Sequence, residues 1–373
     1  MERIGQITGA DRAAARAAKQ RWDGIAKPIG SFGLLEDLIV KIAAVQGTPN
    51  VDLSRRTAVV MCADHGVVTE GVSQSGQEVT ALSTAAIACG SSNINALADA
   101  YGTDVIAVDI GVSKPFAEGT LVTADAGRAL RRPGAPKGTG AVLDRKLSRG
   151  TGDILKEPAM TPEMARRAIV VGMDLVRDLK ETGTRIIVTG EMGIGNTTIA
   201  SALAAVYLGL PPQEVTGRGA GLPDASLARK KEVVAQAVSL HRPDRTDPID
   251  VLSKLGGLEV AGMAGLFLGG AVYGIPVVID GVISAAAAYT AYMLNPLAAE
   301  YMLAGHVSAE PAGGRYLEAL GLQAPIDAHL RLGEGTGGIL LLPLLDGALA
   351  LYRDAHTFGN LGLEAYVDYG REN

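Results

Sequence analysis

The chain has 373 residues, with 34 Lys and Arg against 40 Asp and Glu, which gives a formal net charge of -6. This acidic balance argues against nucleic acid or an anionic membrane as the main partner, and 47% hydrophobic residues exclude a disordered chain. Glycine is the compositional outlier, because 48 of 373 residues is about 13%, against a usual ~7%. So many glycines predict loops whose backbone approaches a ligand closely.

The cysteine content and the N-terminus predict a cytoplasmic protein. Cys62 and Cys89 have no metal-type spacing, which argues against a disulfide scaffold or a cysteine zinc site. The first residues contain no apolar run, so we expect no signal peptide. Residues 260–279 carry no charge and are long enough to span a bilayer, but they contain five glycines and Pro276. We therefore expect a buried helix followed by a buried strand there, and no membrane association.

Four short apolar runs, each followed by a carboxylate or a glycine, predict parallel β-strands. Helical segments between the runs predict an open α/β sheet, whose ligands collect beyond the carboxyl ends of the strands. The runs are residues 57–61, 105–108, 185–188 and 275–279, followed by Asp64, Asp109, Gly190 and Asp280.

The helical segments divide the chain into two predicted regions. Helices are expected over 163–182, 197–208, 227–238 and 259–268, and Asp11 is a candidate N-cap for a helix over 12–22. Both chain ends have a helical pattern without matching strands. We therefore predict a small helical subdomain formed by residues 1–48 and 320–373, packed on an α/β sheet domain of residues 49–319. Residues 125–153 are rich in Gly, Pro, Arg and Lys, which predicts a long loop.

A glycine-rich segment follows the third predicted strand and opens a helix. Its spacing, Gly190-x4-Gly195-Asn196-Thr197, resembles a phosphate-binding loop with Asn in place of the lysine. Backbone N–H groups at such a helix start still bind an anion, whereas the missing lysine argues against hydrolysis of a nucleoside triphosphate. A monophosphate suits the segment, and a tight packing turn is the alternative interpretation.

Two acidic residues are flanked by glycines. Glu334 lies in Arg331-Leu-Gly-Glu-Gly-Thr-Gly-Gly338, which suits either a general base or a helix-capping glutamate. Glu191 has a similar setting in the glycine-rich segment. Two such acids indicate a site for a ligand with N–H donors or a positively charged ring.

Two further polar positions leave open alternatives. His65, in Asp64-His65-Gly66, suits a metal half-site or a catalytic dyad, but no second histidine cluster accompanies it, and a structural hydrogen bond is favoured. Lys230 begins a basic helix that either meets a phosphate or presents a solvated face.

Together these segments resemble the nicotinate-nucleotide:dimethylbenzimidazole phosphoribosyltransferase family, which activates the lower ligand of cobamides. The matching segments follow the family's order from about residue 20 to residue 360. They include Lys27-Pro-Ile-Gly-Ser31, Ala63-Asp-His-Gly66, Gln77-Glu-Val-Thr80, Glu157-Pro-Ala-Met160, the 190–198 segment, Gly217-Arg-Gly219, Asp280-Gly281, His306 to Pro311 and Leu332 to Gly337.

The resemblance implies a Rossmann-like parallel sheet flanked by helices, with a small helical domain. It also implies a homodimer that works on small molecules without a cofactor or a metal. In the implied reaction Glu334 is the general base: it takes the N–H proton of the benzimidazole while the other ring nitrogen attacks C1′ of nicotinate mononucleotide. Nicotinate leaves from a cationic pyridinium as a neutral ring nitrogen, so no general acid is needed.

The resemblance also implies roles for binding residues. Those expected at the nucleotide are Glu191, Gly193, Gly195, Asn196, Lys230 and Ser308, and those at the aromatic base are Pro28, Ser75, Ser83, Met192 and Leu332, with Glu191 also bordering the base pocket. The chain departs from the family near that pocket, where Ser83 aligns with a common Gln and where Gln74-Ser-Gly76 and Cys89-Gly-Ser-Ser92 replace the more usual residues. These departures leave open which benzimidazole, purine or phenolic acceptor is used.

A non-catalytic binding or partner subunit of the same fold is the alternative function. The intact Glu334 and 190–198 segment argue against it, because a subunit without activity needs neither. A phosphohydrolase is the third interpretation, and Asn196 argues against that one.

Overall fold

The computed structural model describes residues 1–367, which form nine β-strands and fourteen α-helices. The strands are β1 (Arg56–Ala63), β2 (Thr103–Gly111), β3 (Val122–Thr123), β4 (Val142–Asp144), β5 (Ile186–Met192), β6 (Val277–Ile279), β7 (Met302–Ala304), β8 (His306–Ser308) and β9 (Ile326–Leu330). The helices are α1 (Arg12–Gly24), α2 (Leu34–Gln46), α3 (Glu78–Cys89), α4 (Asn93–Ala100), α5 (Ala126–Ala129), α6 (Pro162–Glu181), α7 (Asn196–Tyr207), α8 (Pro212–Val215), α9 (Asp224–His241), α10 (Pro248–Leu255), α11 (Leu258–Tyr273), α12 (Val282–Leu294), α13 (Pro311–Ala319) and α14 (Thr336–Asp354).

The main sheet is parallel throughout and confirms the predicted α/β fold. Its seven strands lie in the order β3-β4-β2-β1-β5-β6-β7, so β1 is central and pairs with both β2 and β5. The chain extends the sheet on one side of β1 through β2 and on the other side through β5. The strand order therefore reverses between β1 and β5, and in such sheets a ligand binds beyond the carboxyl ends at that point. β8 and β9 form a separate parallel pair.

Helices cover both faces of the main sheet. Alternate residues of β1 point to opposite faces: Val59 and Met61 join one buried cluster, while Ala58 and Val60 join the other. Helices α6, α7, α11 and α12 contribute to the first cluster, and α2, α3, α4 and α14 to the second. Burial on both faces explains why the strands are continuous apolar runs in the sequence.

The four predicted strands and the four predicted internal helices are confirmed. The strands correspond to β1, β2, β5 and β6, with β5 and β6 beginning one and two residues later than predicted, and the helices correspond to α6, α7, α9 and α11. Asp11 caps α1, because its carboxylate accepts hydrogen bonds from the backbone N–H groups of Ala13 and Ala14. The uncharged 260–279 segment forms most of α11 and then β6, which are buried.

One helix of the described chain, Thr336–Asp354, is long and apolar enough to cross a membrane by length and composition alone. Of its most apolar window, 56% is buried inside the protein, where it packs against α2, α4 and β5. A core helix of a soluble protein has the same composition, so this helix is weak evidence for a membrane span.

Two sequence predictions are wrong in part. The C-terminal region was expected to contain no strand, yet Ile326–Leu330 forms β9, whose central residues are exposed and whose only partner is the three-residue β8. Residues 125–153 were expected to be a loop, yet they contain the short helix α5 and strand β4. These elements have three to five residues each, too few to produce a periodic signal.

The two chain ends pack against each other. The rings of Trp22 and Tyr352 lie 5.2 Å apart, and Ile25 pairs with Thr357 in an antiparallel bridge. Both α2 and α14 also pack on the main sheet. The division into residues 1–48 with 320–373 and residues 49–319 remains a prediction, and residues 368–373 lie outside the described part of the chain.

Helices α6 and α11 cross at a contact made by glycines. A Cβ atom on Gly172 would lie 2.0 Å from the carbonyl oxygen of Gly262, and one on Gly265 would lie 2.0 Å from that of Ile169. No side chain fits between the two backbones at these positions. The contact fixes α11, whose first turn begins beside the end of the central strand.

We expect Gly172→Ala to lower the free energy of unfolding by about 1–3 kcal/mol, because the added methyl group forces the two backbones apart. Gly347→Ala is the matched control: Gly347 lies inside α14 and a Cβ atom there meets nothing within 4 Å. That control should be neutral or stabilising by up to ~1 kcal/mol, since alanine is the better helix former. Urea titration measures both, and equal stability of the two variants would contradict the prediction.

Candidate active site

A cavity of about 210 Å³ lies beyond the carboxyl ends of β5, β6 and β8. It opens next to the place where the strand order reverses, as expected for this type of sheet. Its lining comes from the glycine-rich segment after β5, the start of α12, the residues around the end of β8 and the turn before α14. The lining residues are Glu191 to Ile194, Asn196, Thr197, Gly219, Ala220, Gly281 to Ser284, His306, Ser308, Glu310 and Arg331 to Glu334.

The glycine-rich segment packs too tightly against β1 for side chains. A Cβ atom on Gly193 would lie 2.2 Å from the carbonyl oxygen of Ala63, and one on Gly195 would lie 2.8 Å from Val68. Gly195 also has a φ of 98°, a left-handed conformation that favours glycine, and it caps α7. The first residues of α7 therefore face the cavity, where the helix start attracts an anion.

Glu191 is a buried acid at the end of β5. The amide of Asn196 donates a hydrogen bond to its Oε2 atom. Burial raises the pKa of Glu191 to about 8, and the nearby carboxylates of Asp280 and Glu259 act in the same direction. At neutral pH this side chain is therefore mostly protonated, and it lines the cavity without adding a full negative charge.

Lys230 lies behind the cavity wall. Its side chain is fully buried, and Nζ lies 2.7 Å from Oγ1 of Thr197, which does line the cavity. Burial lowers the Lys230 pKa to about 8, while the carboxylate of Glu310 opposes this shift. Of the two alternatives for Lys230, the solvated helix face is therefore wrong, because α9 packs this position against α7.

The carboxylate of Glu310 lies near Lys230 and also binds the backbone of the 217–221 segment. Its Oε1 atom accepts a hydrogen bond of 2.8 Å from the backbone N–H of Gly219. A Cβ atom on Gly219 would lie 3.4 Å from Nζ of Lys230. This bond holds the 217–221 segment against the cavity, with Ser308 beside it at the end of β8.

Glu334 lies on a tight turn before α14 and lines the cavity. Its φ is 62°, which is unusual for a residue other than glycine. Both carboxylate oxygens accept hydrogen bonds from the start of α4: Oε1 from the amide of Asn93 at 2.9 Å and Oε2 from the backbone N–H of Ile94 at 3.0 Å. Glu334 therefore caps the start of α4. Because it also lines the cavity, it is a candidate general base as well.

Asp280 fixes the Glu334 turn from beneath. Its Oδ2 atom accepts a 3.1 Å hydrogen bond from the backbone N–H of Gly335, and Oδ1 accepts one of 2.9 Å from that of Gly338. Burial raises the Asp280 pKa, and His306, with Nδ1 3.8 Å from Oδ1, opposes the shift. His306 itself lines the cavity.

His65 forms a buried pair with Glu259, whose Oε1 atom lies 3.1 Å from Nε2 of the imidazole. Both side chains are fully buried, and the imidazole lies below the glycine-rich segment, since a Cβ atom on Gly193 would be 3.2 Å from Nε2. In the described residues neither ring nitrogen of His65 has a hydrogen-bond partner, so the structural hydrogen bond favoured for this residue is not seen and the contact with Glu259 is one of proximity. Among residues 1–367, no three His, Cys, Asp or Glu side chains come together as a group of metal ligands.

The structure brings together most of the residues selected from the sequence. Seven line the cavity: Glu191, Met192, Gly193, Asn196, Ser308, Leu332 and Glu334. Gly195 lines a smaller adjoining cavity with Val72, Ser73 and Gln74, and Lys230 reaches the wall through Thr197. The described lining of the main cavity does not include Pro28, Ser75 or Ser83, which lie in the 27–33 loop, before α3 and within α3 respectively.

Sequence reasoning did not select four residues that shape the site. Asp280 was noted only as the end of a strand, and His306 and Glu310 only as parts of a motif. Nothing in the sequence marks Asn93 as a site residue, because its partner Glu334 lies 241 positions away in the chain.

Comparisons with known proteins agree with this architecture. A family model described as phosphoribosyltransferase matches residues 7–363. Proteins named nicotinate-nucleotide–dimethylbenzimidazole phosphoribosyltransferase are 38% identical in Clostridium acetobutylicum, over 97% of both chains, and 42% identical in Chloroflexus aggregans, over 96% of both. A crystal structure of the enzyme of that name from Thermus thermophilus superposes with a TM-score of 0.83 at 37% identity, covering 95% of this chain and 99% of that one.

The family model covers nearly the whole chain, and relatives and the solved structure match it along almost their full length. The parallel seven-stranded sheet flanked by helices also agrees with the match to the solved structure. On both grounds, the chain belongs to this phosphoribosyltransferase family.

Proposed function

We propose that the chain transfers the 5-phosphoribosyl group of nicotinate mononucleotide to 5,6-dimethylbenzimidazole or a related aromatic base. The products are α-ribazole 5′-phosphate, or the corresponding α-ribotide, and nicotinate, in synthesis of the lower ligand of cobamides. The observation that carries this proposal is one cavity lined both by the Glu334 carboxylate and by the glycine-rich start of α7. The relatives named above carry this activity in their names.

The nucleotide is proposed to bind at the start of α7. The N–H groups of a helix start and the positive end of its dipole suit the 5′-phosphate. The ammonium group of Lys230 lies behind the cavity wall and donates a hydrogen bond to Thr197, which places a positive charge near the bound phosphate. Ser308 and Asn196 offer further polar contacts at the wall. Glu191, which is mostly protonated at neutral pH, leaves the cavity free of one charge that would repel the anionic substrate.

Glu334 is proposed as the general base. One ring nitrogen of the aromatic base forms the new bond to C1′, and the bond from C1′ to the nicotinate nitrogen breaks. The bonding electrons neutralise the pyridinium of the leaving nicotinate, and the N–H proton of the attacking ring passes to Glu334. Attack opposite the leaving group inverts C1′ and produces the α-anomer, and positioning of the two rings supplies much of the rate.

The aromatic base is proposed to contact Met192 and Leu332, which line the cavity, together with Pro28, Ser75 and Ser83. Leu332 is exposed at the cavity mouth, so a bound ring would cover its apolar surface. The identity of the preferred base is left to experiment.

We also propose that the chain works as a cytoplasmic homodimer. The outer face of α14 carries exposed Leu344 and Leu351, two helical turns apart, and the segment after it carries exposed Leu361 and Leu363. Covering such side chains with a second copy would remove apolar surface from water. Light scattering should give twice the chain mass at micromolar concentration, and a mass equal to one chain would contradict the dimer.

Purified protein should release nicotinate from nicotinate mononucleotide only when an aromatic acceptor is present. The panel is 5,6-dimethylbenzimidazole, benzimidazole, adenine and phenol, and chromatography identifies the α-ribotide. Glu334→Gln should lower kcat by about 10²–10⁴-fold while the nucleotide still binds, because glutamine accepts no proton. Glu318→Gln is the matched control, since Glu318 is exposed on α13 and does not line the cavity.

Nucleotide binding that persists without turnover for any acceptor would favour the non-catalytic subunit. Full activity of Glu334→Gln would refute the base assignment while leaving the transferase function intact. The two outcomes are thus separable in one set of assays.

The KM for nicotinate mononucleotide should rise roughly tenfold between pH 7 and pH 9. Burial places the pKa values of Glu191 and Lys230 both at about 8. Raising the pH through 8 therefore adds a negative charge at Glu191 and removes the positive charge of Lys230, and both changes weaken binding of an anion.

In Glu191→Gln the KM should rise less over the same range, because glutamine does not ionise. Glu318→Gln should keep the full rise of the unmodified protein. A KM that is constant from pH 7 to pH 9 would show that neither group titrates there.

A further inference from the structure

The carboxylate of Glu334 is held by one side chain that the sequence did not single out. Asn93 donates from Nδ2 to Oε1 at 2.9 Å, and the backbone N–H of Ile94 donates to Oε2 at 3.0 Å. In the described residues these are the two hydrogen bonds to the carboxylate. Of the two, the bond from Asn93 is made by a side chain, so a substitution at position 93 can remove it.

The Asn93 side chain is not required for the start of α4. The backbone N–H and the hydroxyl of Ser92 both bond to Oδ1 of Asn95, at 3.1 and 2.7 Å, which closes the first turn of the helix. Asn93 is exposed, and in the described chain its side chain makes one hydrogen bond, to Glu334. Its carboxamide therefore acts on Glu334 and not on the helix.

The two bonds restrain the orientation of the carboxylate without using all of its capacity. An ionised carboxylate has about four acceptor positions, and the start of α4 occupies two. The remaining positions can accept the N–H of a substrate in the cavity that Glu334 lines.

We propose that Asn93 is a positioning residue for Glu334, which holds the carboxylate so that its free acceptor positions face the aromatic base. This proposal rests on the proposed function of Glu334 as the general base. The amide acts through Glu334 and does not touch the reacting atoms. The effect of its removal should therefore fall on kcat and not on nucleotide affinity.

The test uses Asn93→Ala and Asn93→Asp in the full chain, with nicotinate mononucleotide and 5,6-dimethylbenzimidazole. Asn93→Ala should lower kcat about tenfold, the usual effect of losing one hydrogen bond to a charged group, with KM for the nucleotide within about twofold. Asn93→Asp should lower kcat at least as much, because a carboxylate cannot donate this hydrogen bond and repels the carboxylate of Glu334.

Ala96→Asp is the matched control. Ala96 is exposed on the same helix, one turn further along, so this variant adds the same charge without the contact to Glu334. It should keep both kcat and the KM for the nucleotide within about twofold of the unmodified protein. Asn93→Ser, which keeps a shorter donor, should lie between the unmodified protein and Asn93→Ala, and circular dichroism should show the same fold for all four variants.

An unchanged kcat in Asn93→Ala, or an equal loss of kcat in Ala96→Asp, would overturn the proposal. If Glu334→Gln is inactive in the same assay, such a result refutes only the role of Asn93. If Glu334→Gln remains fully active, the base assignment fails, and the proposal for Asn93 fails with it.

Discussion

The site depends on the buried carboxylate of Asp280, which joins the end of β6 to the start of α14. Its two oxygens accept the N–H groups of Gly335 and Gly338, and these bonds fix the turn that carries Glu334. A Cβ atom on Gly190 would lie 2.3 Å from the Glu334 carbonyl oxygen, so β5 limits the turn from the other side. The left-handed conformation of Glu334 costs free energy, and these neighbours hold the residue in that conformation. A candidate base is thereby set at a rigid point of the sheet edge.

Burial also sets the charge of the cavity. Glu191 and Asp280 both have raised pKa values because they are removed from water, and Glu191 also lies near the carboxylates of Asp280 and Glu259. Lys230, buried on the other side of α7, has a lowered one. These shifts reduce the net charge that the cavity carries near neutral pH. An anionic nucleotide with a cationic ring can enter such a cavity without strong repulsion at either end.

The sequence was sufficient for the parts of the fold that rest on long apolar patterns. Strands buried on both faces leave continuous apolar runs, so β1 and β5 and the acids that follow them were predictable. β9 was not, because an exposed five-residue strand paired with a three-residue one leaves no such pattern. The burial of Lys230 could not be predicted from the sequence either, because a helix position is buried or exposed according to which elements pack against it.

The two interpretations of Glu334, as a helix-capping residue and as a base, are not exclusive in this structure. Capping α4 requires the carboxylate to accept N–H groups, and a base requires a carboxylate with acceptor positions left over. The same contacts are therefore compatible with both roles. Pattern analysis could not combine them, because the partners are 241 residues apart and meet only when α4 and α14 pack side by side on one face of the sheet. The chemistry of the turn is thus a property of the packed helices and not of the glycine-rich motif alone.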